Sequence, residues 1–405
     1  MGKTQSIRFD SKTAIYCYLY TTVLFLAGSA YGITCLFNTS TETVPTENSI
    51  NIQSVLHRWD SAHYLNVASK GYTYNNDANG ENIAFFPVYP LIIRVCSTIS
   101  RLSLSWSALL VAHASFIATL VIFSRYLRGR SLERQVQHWS LICMAIWPAS
   151  FFWRFAYSEA TFLMLTVLAM YLMHQKRSLL VISLTIGLAS ATRPVGVALL
   201  VPFVIHLLQR YPKRHEFLAA FWIYMPLGCW GLLAFMTYQQ LEFGEPLAFA
   251  KTQQHWRVRP DVDVTQKLAS FAAFEPIWAV YRSDSLSYWK RFEPHSIPLL
   301  SLAFWNPLFF IGAGSLTYFG HRQRWLTLEE TSLATGLLLI PFLTRGFDNC
   351  MLSQGRFAAM AFPIYIACGH VAQRIPAWLR RATACFAMFL LFYFSARFAA
   401  GFRLY

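Results

Sequence analysis

Apolar runs long enough to cross a lipid bilayer recur from one end of this chain to the other, and they constrain its fold more than any other feature. Residues 105–124, for example, contain no Asp, Glu, Lys or Arg, and about 20 mostly apolar residues suffice to cross a bilayer as a helix. Charged residues make up only 13% of the 405 residues, against about 25% in soluble domains, and the mean hydropathy is +0.37. These values indicate a polytopic helical membrane protein. They exclude a disordered chain, a disulfide-stapled secreted module and a typical soluble enzyme.

Positive charge is the second constraint. The chain carries 34 Lys and Arg against 19 Asp and Glu, a net charge of +15. In a soluble protein such an excess is typical of nucleic-acid binding, but the sequence contains no zinc-finger, homeodomain or RNA-binding motif. Because the basic residues cluster at the ends of apolar runs, we interpret them as cytoplasmic anchors and expect membrane lipids, not nucleic acid, as partners. The eight cysteines form no CxxC pair and indicate no metal site.

The positions of the basic residues predict the orientation of each span. Lys3, Arg8 and Lys12 precede the first apolar run, which places the N-terminus in the cytoplasm. The run 84–99 contains two prolines, and we predict that it dips into the interface without crossing, because the basic loop 125–134 then lies in the cytoplasm. About eleven spans result, and they cover 14–37, 105–124, 136–153, 160–174, 178–191, 194–208, 217–238, 296–319, 328–343, 357–373 and 382–400.

We therefore predict an all-α, polytopic integral membrane protein that forms a single domain over residues 1–405. Two large segments lie on the outer face in this topology. Residues 38–104 form the first outer loop, with juxtamembrane helices, and residues 239–295 form the second outer segment. The Asn, Asp and Gly clustering of the first loop marks it as the place to look for catalytic chemistry.

The first outer loop carries a dense group of polar and aromatic side chains around Asp60. It reads His57-Arg58-Trp59-Asp60-Ser61-Ala62-His63-Tyr64-Leu65. A carboxylate beside aromatic bulk at a membrane face is partly desolvated, which strengthens it as a proton acceptor. The alternative is an interfacial amphipathic helix with an acid at its N-terminal end and its Trp and Tyr at the headgroup level. The residues alone leave both interpretations open.

Four segments of the chain together carry a family resemblance. In chain order they are Trp59-Asp60-Ser61-Ala62-His63-Tyr64-Leu65 with Lys70-Gly71-Tyr72 and Ala84-Phe85-Phe86-Pro87-Val88-Tyr89-Pro90-Leu91, then Tyr157-Ser158-Glu159-Ala160, Ala191-Thr192-Arg193-Pro194-Val195-Gly196, and Gly355-Arg356-Phe357. This set resembles the GPI mannosyltransferase 2 family, which adds the second mannose in glycosylphosphatidylinositol assembly, and its bacterial relatives. The first-loop motif is the most specific part. Arg-Pro-Val-Gly at 193–196 stands where the eukaryotic pattern has Arg-Ser-Asn-Gly, and the inter-span loops are short, which favours a bacterial relative.

The resemblance implies the GT-C superfamily, whose members are multispanning glycosyltransferases that use lipid-phosphate sugars. By the resemblance, Asp60 is the general base of a mannosyltransferase. The implied donor is dolichyl- or polyprenyl-phosphate mannose, and the implied acceptor is a glycolipid similar to a GPI precursor. The resemblance also implies that transfer inverts the configuration of the anomeric carbon, from a β-linked donor to an α-mannoside. No cofactor or metal is expected, because phosphate is a good leaving group and Arg or Lys stabilises the charge it develops.

Each remaining candidate residue has a structural alternative. The resemblance favours phosphate contact for Arg193 and Arg356 through the guanidinium fork, whereas both can instead snorkel to lipid headgroups. Glu159 either contacts a sugar hydroxyl or caps the following helix. Lys251 lies in a basic stretch with His255, Arg257 and Arg259. This stretch either binds a substrate phosphate or forms a solvated surface. The predicted substrate-binding set is completed by Arg58, Trp59, His63 and Tyr64.

Other function classes remain open. A GT-C glycosyltransferase that uses another prenyl-phosphate sugar or a cell-envelope acceptor fits the same residues. A transporter also shows a broken helix with an intramembrane arginine, although it usually contains an internal repeat, and we find none in this sequence. The expected location is the endoplasmic reticulum membrane in a eukaryote or the inner (cell) membrane in a bacterium. In either case the active site is expected on the lumenal or extracytoplasmic face.

Overall fold

A computed structural model describes residues 4–36, 58–74 and 82–404 of the protein, with side chains from residue 12 onward. Every regular element within these ranges is a helix, which confirms the all-α prediction. Residues 38–57 and 75–81 of the predicted first outer loop, and residue 37 before it, lie outside the described residues.

Long and short helices alternate along the chain. The α-helices are α1 (Thr4–Tyr31), α2 (Asp60–Lys70), α3 (Val88–Ser100), α4 (Leu104–Gly129), α5 (Arg134–Ala145), α6 (Glu159–His174), α7 (Leu179–Ser190), α8 (Leu200–Arg210), α9 (Arg214–Gly228), α10 (Trp230–Phe243), α11 (Ala248–Lys251), α12 (Val264–Ala272), α13 (Glu275–Trp278), α14 (Leu302–Arg322), α15 (Leu328–Pro341), α16 (Gln354–Ala359), α17 (Pro363–Arg374) and α18 (Ala377–Ala400). Short 3₁₀ or π segments join them at Gly32–Leu36, Asn82–Ala84, Pro148–Trp153, Pro194–Leu199, Thr252–Trp256, Ala279–Tyr281, Trp289–Arg291, Pro298–Leu300 and Phe342–Gly346.

Three helices of the described chain are long and apolar enough to cross a membrane without interruption. They are Lys12–Leu36, Leu104–Gly129 and Ala377–Ala400. A fourth crossing results if α9 and α10, which meet at an angle of 50°, count as one bent span. The other apolar helices are shorter, so the membrane class is supported, whereas the number of eleven spans stays a prediction.

The first and last long helices pack closely side by side. A Cβ atom built on Gly28 would lie 2.5 Å from the carbonyl oxygen of Phe392, and one on Gly32 would lie 1.9 Å from that of Ala396. Small residues at such positions let two membrane helices approach backbone to backbone. The contacts advance in the same direction along both helices, from Gly28 and Phe392 to Gly32 and Ala396. The two helices therefore run parallel.

Helix α3 corresponds to the apolar run that the sequence predicts to dip. Its 13 residues extend about 20 Å, against a hydrocarbon core of about 30 Å. Tyr89 and Ile93 are buried against α2 and α4, whereas Leu91, Val95 and Ile99 are exposed. The helix is thus too short to cross the hydrocarbon core unaided, and its location in the interface stays a prediction, as does the side of the membrane on which it lies.

Interruptions of the bundle meet at one end of the molecule. Helix α2 begins at Asp60 and helix α6 begins at Glu159. Arg193 lies directly before Pro194, where the break between α7 and the next 3₁₀ turn occurs. Helix α15 passes into the π segment Phe342–Gly346 at the same end. Polar side chains from four distant parts of the sequence are therefore brought together where the helices are broken.

Candidate active site

Glu159 is the buried centre of a cluster of charged side chains. It is fully buried at the first position of α6, where the helix dipole favours an acid. Its Oε1 lies 2.7 Å from Nη1 of Arg193 and 2.8 Å from Nε of Arg356. Its Oε2 is buried and accepts no hydrogen bond from the residues that the structure describes. Its Oε1 likewise accepts no hydrogen bond of good geometry from these residues, so Glu159 holds the two arginines mainly by its charge.

Arg356 joins Glu159 to Asp60. Its Nη2 donates a hydrogen bond of 2.7 Å to Oδ2 of Asp60, while its Nε faces Glu159. The side chain of Arg356 is 11% exposed and that of Asp60 is 31% exposed, so Asp60 is the part of the cluster that solvent or a substrate reaches. The cluster therefore runs from Asp60 through Arg356 and Glu159 to Arg193, and it unites four residues that the sequence predicts for the site.

The backbone around these residues is strained. Trp59, directly before Asp60, has φ 56° and ψ −133°, and Cys350, Met351 and Ser353, shortly before Arg356, have φ values of 54°, 61° and 65°. Residues with side chains rarely adopt positive φ, and each such position costs free energy that the surrounding structure must supply. Strain of this kind clusters at functional sites, and here it lies on both chain segments that place the Asp60–Arg356 pair.

The other residues predicted for the first loop lie around this cluster. Tyr64 and Ser158 share a hydrogen bond of 2.6 Å between hydroxyl groups, and Arg193 donates to the same Ser158 oxygen at 3.1 Å. Arg58 donates to the carbonyl oxygen of Ala399 at 3.0 Å, which ties the loop to the end of α18. The indole ring of Trp59 lies under the guanidinium of a C-terminal arginine, Arg403, 4.9 Å from the ring centroid.

The electrostatic environment of Asp60 differs from the one expected from the sequence. Burial alone raises its pKa, but the charge and hydrogen bond of Arg356, with the charges of Arg193 and His63, lower the pKa below its ordinary value. The expectation that desolvation strengthens this carboxylate as a base is therefore wrong, because arginines that are remote in sequence outweigh burial. Asp60 is therefore ionised at neutral pH.

An aromatic shelf lies beside Asp60. The imidazole of His63 stacks on the ring of Phe85, with centroids 4.5 Å apart and planes 10° from parallel. The indole of Trp256 meets both rings edge-on at about 6 Å, 6.1 Å from His63 and 6.0 Å from Phe85. Burial lowers the pKa of His63, although the charge of Asp60 opposes this effect. The shelf joins the first outer loop to the second outer segment.

The basic stretch that contains Lys251 lies apart from the ion pairs of the cluster. Lys251 pairs with Glu245 and is 55% exposed. Arg259 pairs with Glu275 at 2.8 Å and donates to Ser287, and Arg257 lies 2.7 Å from Asp261. These basic side chains all have acidic neighbours of their own, and the sequence-based assignment of Lys251 to a substrate stays a prediction.

Arg345 is a member of this neighbourhood that sequence analysis missed. It lies in the π segment after α15, and its guanidinium carbon is 5.9 Å from the centroid of the Phe357 ring. Burial and the nearby charges of Arg193 and Arg356 lower its pKa to about 10. The available signal was an arginine in the outer loop predicted at 344–356. Within the described ranges, no group of three or more His, Cys, Asp or Glu side chains is arranged to hold a metal ion.

The fold and the site define an all-helical membrane protein with a buried carboxylate–arginine cluster where its helices are interrupted. The chain belongs to the Mannosyltransferase (PIG-V) family, whose profile matches residues 21–329.

Two curated relatives and one solved structure are similar to this chain. GPI alpha-1,6-mannosyltransferase 2 of Cricetulus griseus is 32% identical over 162 residues, which are 37% of this chain and 31% of that protein. GPI mannosyltransferase 2 of Drosophila pseudoobscura pseudoobscura is 30% identical over 129 residues, 29% of this chain and 27% of that protein. The chain thus spans about a third of the length of the curated relatives that it matches. A structure of archaeal oligosaccharyltransferase AglB from Archaeoglobus fulgidus, with an inhibitory peptide and a dolichol-phosphate, aligns over 95% of this chain and 55% of that one, with 13% identity and a TM-score of 0.40.

Proposed function

We propose that this protein is an integral membrane mannosyltransferase of the GT-C type. It transfers mannose from a dolichyl- or polyprenyl-phosphate donor to a glycolipid acceptor, with inversion at the anomeric carbon and Asp60 as the general base. The observation that carries the proposal is the Asp60–Arg356–Glu159–Arg193 cluster. Membership of the mannosyltransferase family supports the choice of sugar.

The proposed reaction needs one proton acceptor and one site for negative charge. The acceptor hydroxyl oxygen forms a bond to the anomeric carbon of mannose, and its proton passes to Asp60. The bond between that carbon and the phosphate oxygen breaks, and its electron pair remains on the lipid phosphate. Arginines near this oxygen stabilise the charge that develops.

The lowered pKa of Asp60 is compatible with this role. In glycosyl transfer the transition state resembles an oxocarbenium ion, and the attacking hydroxyl becomes acidic only as its bond to carbon forms. An ionised carboxylate that is a weak base therefore suffices when it lies within hydrogen-bond reach of the hydroxyl. Asp60 is the more exposed carboxylate of the cluster, which favours it over the fully buried Glu159 for contact with the acceptor.

Glu159 suits a different task in this proposal. Its buried Oε2 has no hydrogen-bond donor among the described residues, and leaving such an oxygen unpaired is costly. A sugar hydroxyl is the natural donor in a mannosyltransferase. The names of the relatives favour a GPI-like acceptor. We expect the endoplasmic reticulum membrane in a eukaryote, while the bacterial-type motif at 193–196 favours a cell membrane. In both cases we place the site on the lumenal or extracytoplasmic face.

The direct test is mannosyl transfer by the purified protein in nanodiscs. Labelled polyprenyl-phosphate mannose serves as the donor, with a panel of inositol-containing and simpler glycolipids as acceptors. We expect transfer by the wild-type protein and a decrease of about 10²–10⁴-fold in Asp60→Asn, because the amide keeps the shape and removes the proton acceptor.

The matched control is Asp284→Asn, which changes an exposed aspartate that pairs with Arg282 in the second outer segment. This control should retain wild-type turnover. Near-normal turnover of folded Asp60→Asn would remove Asp60 from the mechanism. Transfer from polyprenyl-phosphate glucose but not from the mannose donor would keep the GT-C class and change the sugar.

A further inference from the structure

Three arginines surround the ring of Phe357. Their guanidinium carbons lie 5.7 Å from its centroid for Arg193, 5.9 Å for Arg345 and 5.7 Å for Arg356. Each arginine comes from a different element: Arg193 from the break before Pro194, Arg345 from the π segment after α15, and Arg356 from the short helix α16. Like charges around one ring repel one another, so each arginine is stabilised only if a negative charge lies nearby.

Two of these arginines have their counter-charges within the protein. Arg193 is paired with Glu159, and Arg356 is paired with both Glu159 and Asp60. Arg345 is different: its guanidinium forms no ion pair and no hydrogen bond with any residue in 12–36, 58–74 or 82–404, and it lies against the Phe357 ring. The nearby charge of Asp60 favours its protonated form, but that carboxylate is already paired with Arg356. The three arginines and two carboxylates therefore hold one positive charge in excess, and among the described residues Arg345 is the arginine of the three without an ion-pair partner of its own.

An unpaired and partly buried guanidinium is unfavourable unless an anion completes it. Arg345 faces burial and two neighbouring positive charges, which lower its pKa to about 10, yet it stays protonated at neutral pH. A lipid phosphodiester carries a single negative charge, which matches the single excess positive charge. When the sugar leaves, the phosphate becomes a monoester with greater charge, and a guanidinium fork binds it more strongly.

We propose that Arg345 is the principal binding residue for the phosphate of the lipid-linked sugar donor. This inference rests on the proposed function and refines it. Arg193 and Arg356, which the sequence favoured for this task, are positioning residues that hold the carboxylates. The anion is identified by its chemistry as a phosphate ester on a long isoprenoid chain.

The experiment measures binding and thermal unfolding of the full-length protein in phosphatidylcholine nanodiscs. The probes are polyprenyl phosphate without sugar, polyprenol without phosphate, inorganic phosphate and phosphatidic acid. We expect polyprenyl phosphate to stabilise the wild-type protein, and Arg345→Gln to weaken its binding at least tenfold. Arg345→Lys should recover part of the affinity, because it keeps the charge and loses the fork.

Unfolding of the ligand-free variants separates binding from structure. Arg345→Gln removes an unpaired charge, so its Tm without ligand should equal or exceed that of the wild type. Arg356→Gln leaves Asp60 and Glu159 with one cation fewer and should lower Tm. The matched control is Arg282→Gln, an exposed arginine of the second outer segment, which should change neither binding nor Tm.

The outcomes are decisive for Arg345 independently of mannose transfer. Wild-type affinity of Arg345→Gln for polyprenyl phosphate would overturn the inference, as would a loss of Tm in proportion to the loss of binding. Equal stabilisation by phosphatidic acid would identify a general phospholipid headgroup site and would also overturn it. Arg345-dependent binding in a protein that transfers no mannose would preserve this subsite and refute the proposed mannosyltransferase activity.

Discussion

Arg356 contacts two carboxylates at once, and this double contact sets the acid–base behaviour of Asp60. Among the causes that lower the pKa of Asp60 against burial, the charge and the hydrogen bond of Arg356 come before the charges of Arg193 and His63. A carboxyl with a lowered pKa contributes stability at neutral pH, and this contribution is lost as the pH falls through the lowered value. The ionised form of Asp60 is therefore available at every pH at which the protein is expected to function.

This arrangement predicts how the pH profile of kcat/KM responds to substitution. In the wild type, kcat/KM should show no acid limb due to Asp60 above roughly pH 4. Arg356→Gln removes the charge that lowers the pKa of Asp60, while burial still raises it. The pKa of Asp60 should therefore rise, and an acid limb should appear above about pH 4. Arg193→Gln should move the limb less, because its charge is a smaller cause. Identical profiles for the wild type and Arg356→Gln would show that Asp60 does not govern the acid limb.

The same residues show what a sequence reveals and what it hides. The short motifs around Asp60, Glu159, Arg193 and Arg356 predict four members of one cluster, and the structure brings these four together. The pairing itself is hidden, since Arg356 and Asp60 are 296 positions apart. Arg345 was overlooked because its distinguishing property is the absence, among the described residues, of a carboxylate within ion-pair distance. Only the geometry of its described neighbours shows that property.

At the scale of the helices, the positions of the breaks determine where the observed elements differ from the predicted spans. The predicted spans 160–174, 178–191 and 194–208 agree closely with α6, α7 and the segment from Pro194 to the end of α8. The predicted span 136–153 is instead broken between α5 and a 3₁₀ turn. There the buried Arg154 donates to the carbonyl oxygens of Ala145 at 3.4 Å and Ser150 at 3.0 Å, which satisfies backbone groups at the break. Hydropathy therefore detects the apolar run 136–153. It does not detect the break within this run or the arginine side chain that satisfies the carbonyl oxygens there.

The contact between α1 and α18 gives a prediction for the helical elements. Gly32→Ala places a methyl group 1.9 Å from the carbonyl oxygen of Ala396, and because that neighbour is backbone, the helices must separate. We expect a loss of about 1–3 kcal/mol in the free energy of unfolding, as for other overpacked contacts. The measurement is unfolding of the purified protein in detergent, followed by the transfer assay.

A second glycine provides the control for this contact. Gly314 lies within α14, and a Cβ added there meets no atom within 4 Å. Gly314→Ala should be neutral or stabilising, since alanine is the better helix former by about 1 kcal/mol. Equal stability of the two variants would contradict the close packing of α1 against α18. A shift of α18 would also displace Arg58, which donates a hydrogen bond to the carbonyl oxygen of Ala399 near the end of α18, so we expect Gly32→Ala to lower transfer activity as well.

For the whole molecule, the central question is which side of the membrane carries the site. Helices α1 and α18 run parallel, so a chain that crosses with both must make an odd number of crossings from the first to the last. The predicted number of about eleven meets this condition. The ion pair between Arg397 near the end of α18 and Glu293 of the second outer segment, at 2.6 Å, places that segment at the same end of the bundle as Asp60, which follows Arg58 near Ala399.

The interfacial assignment of α3 predicts the sidedness of the site. Helix α4 has 26 residues and extends about 39 Å, so its two ends must lie on opposite sides of a bilayer. In a variant that lacks accessible native cysteines, Ser100→Cys at the end of α3 should react with a membrane-impermeant thiol reagent from the outer or lumenal face. Gln135→Cys, at the start of α5, should react only after permeabilisation, because the basic residues around it favour the cytoplasm. Both side chains are exposed in the folded protein, so lack of labelling would reflect the membrane and not burial.

The reverse labelling pattern would place Asp60 and its arginines on the cytoplasmic face. The donor lipid would then have to present its sugar on the cytoplasmic side, opposite to the side that we propose. Labelling of both cysteines from one side would mean that α4 does not cross and that the span count must be revised.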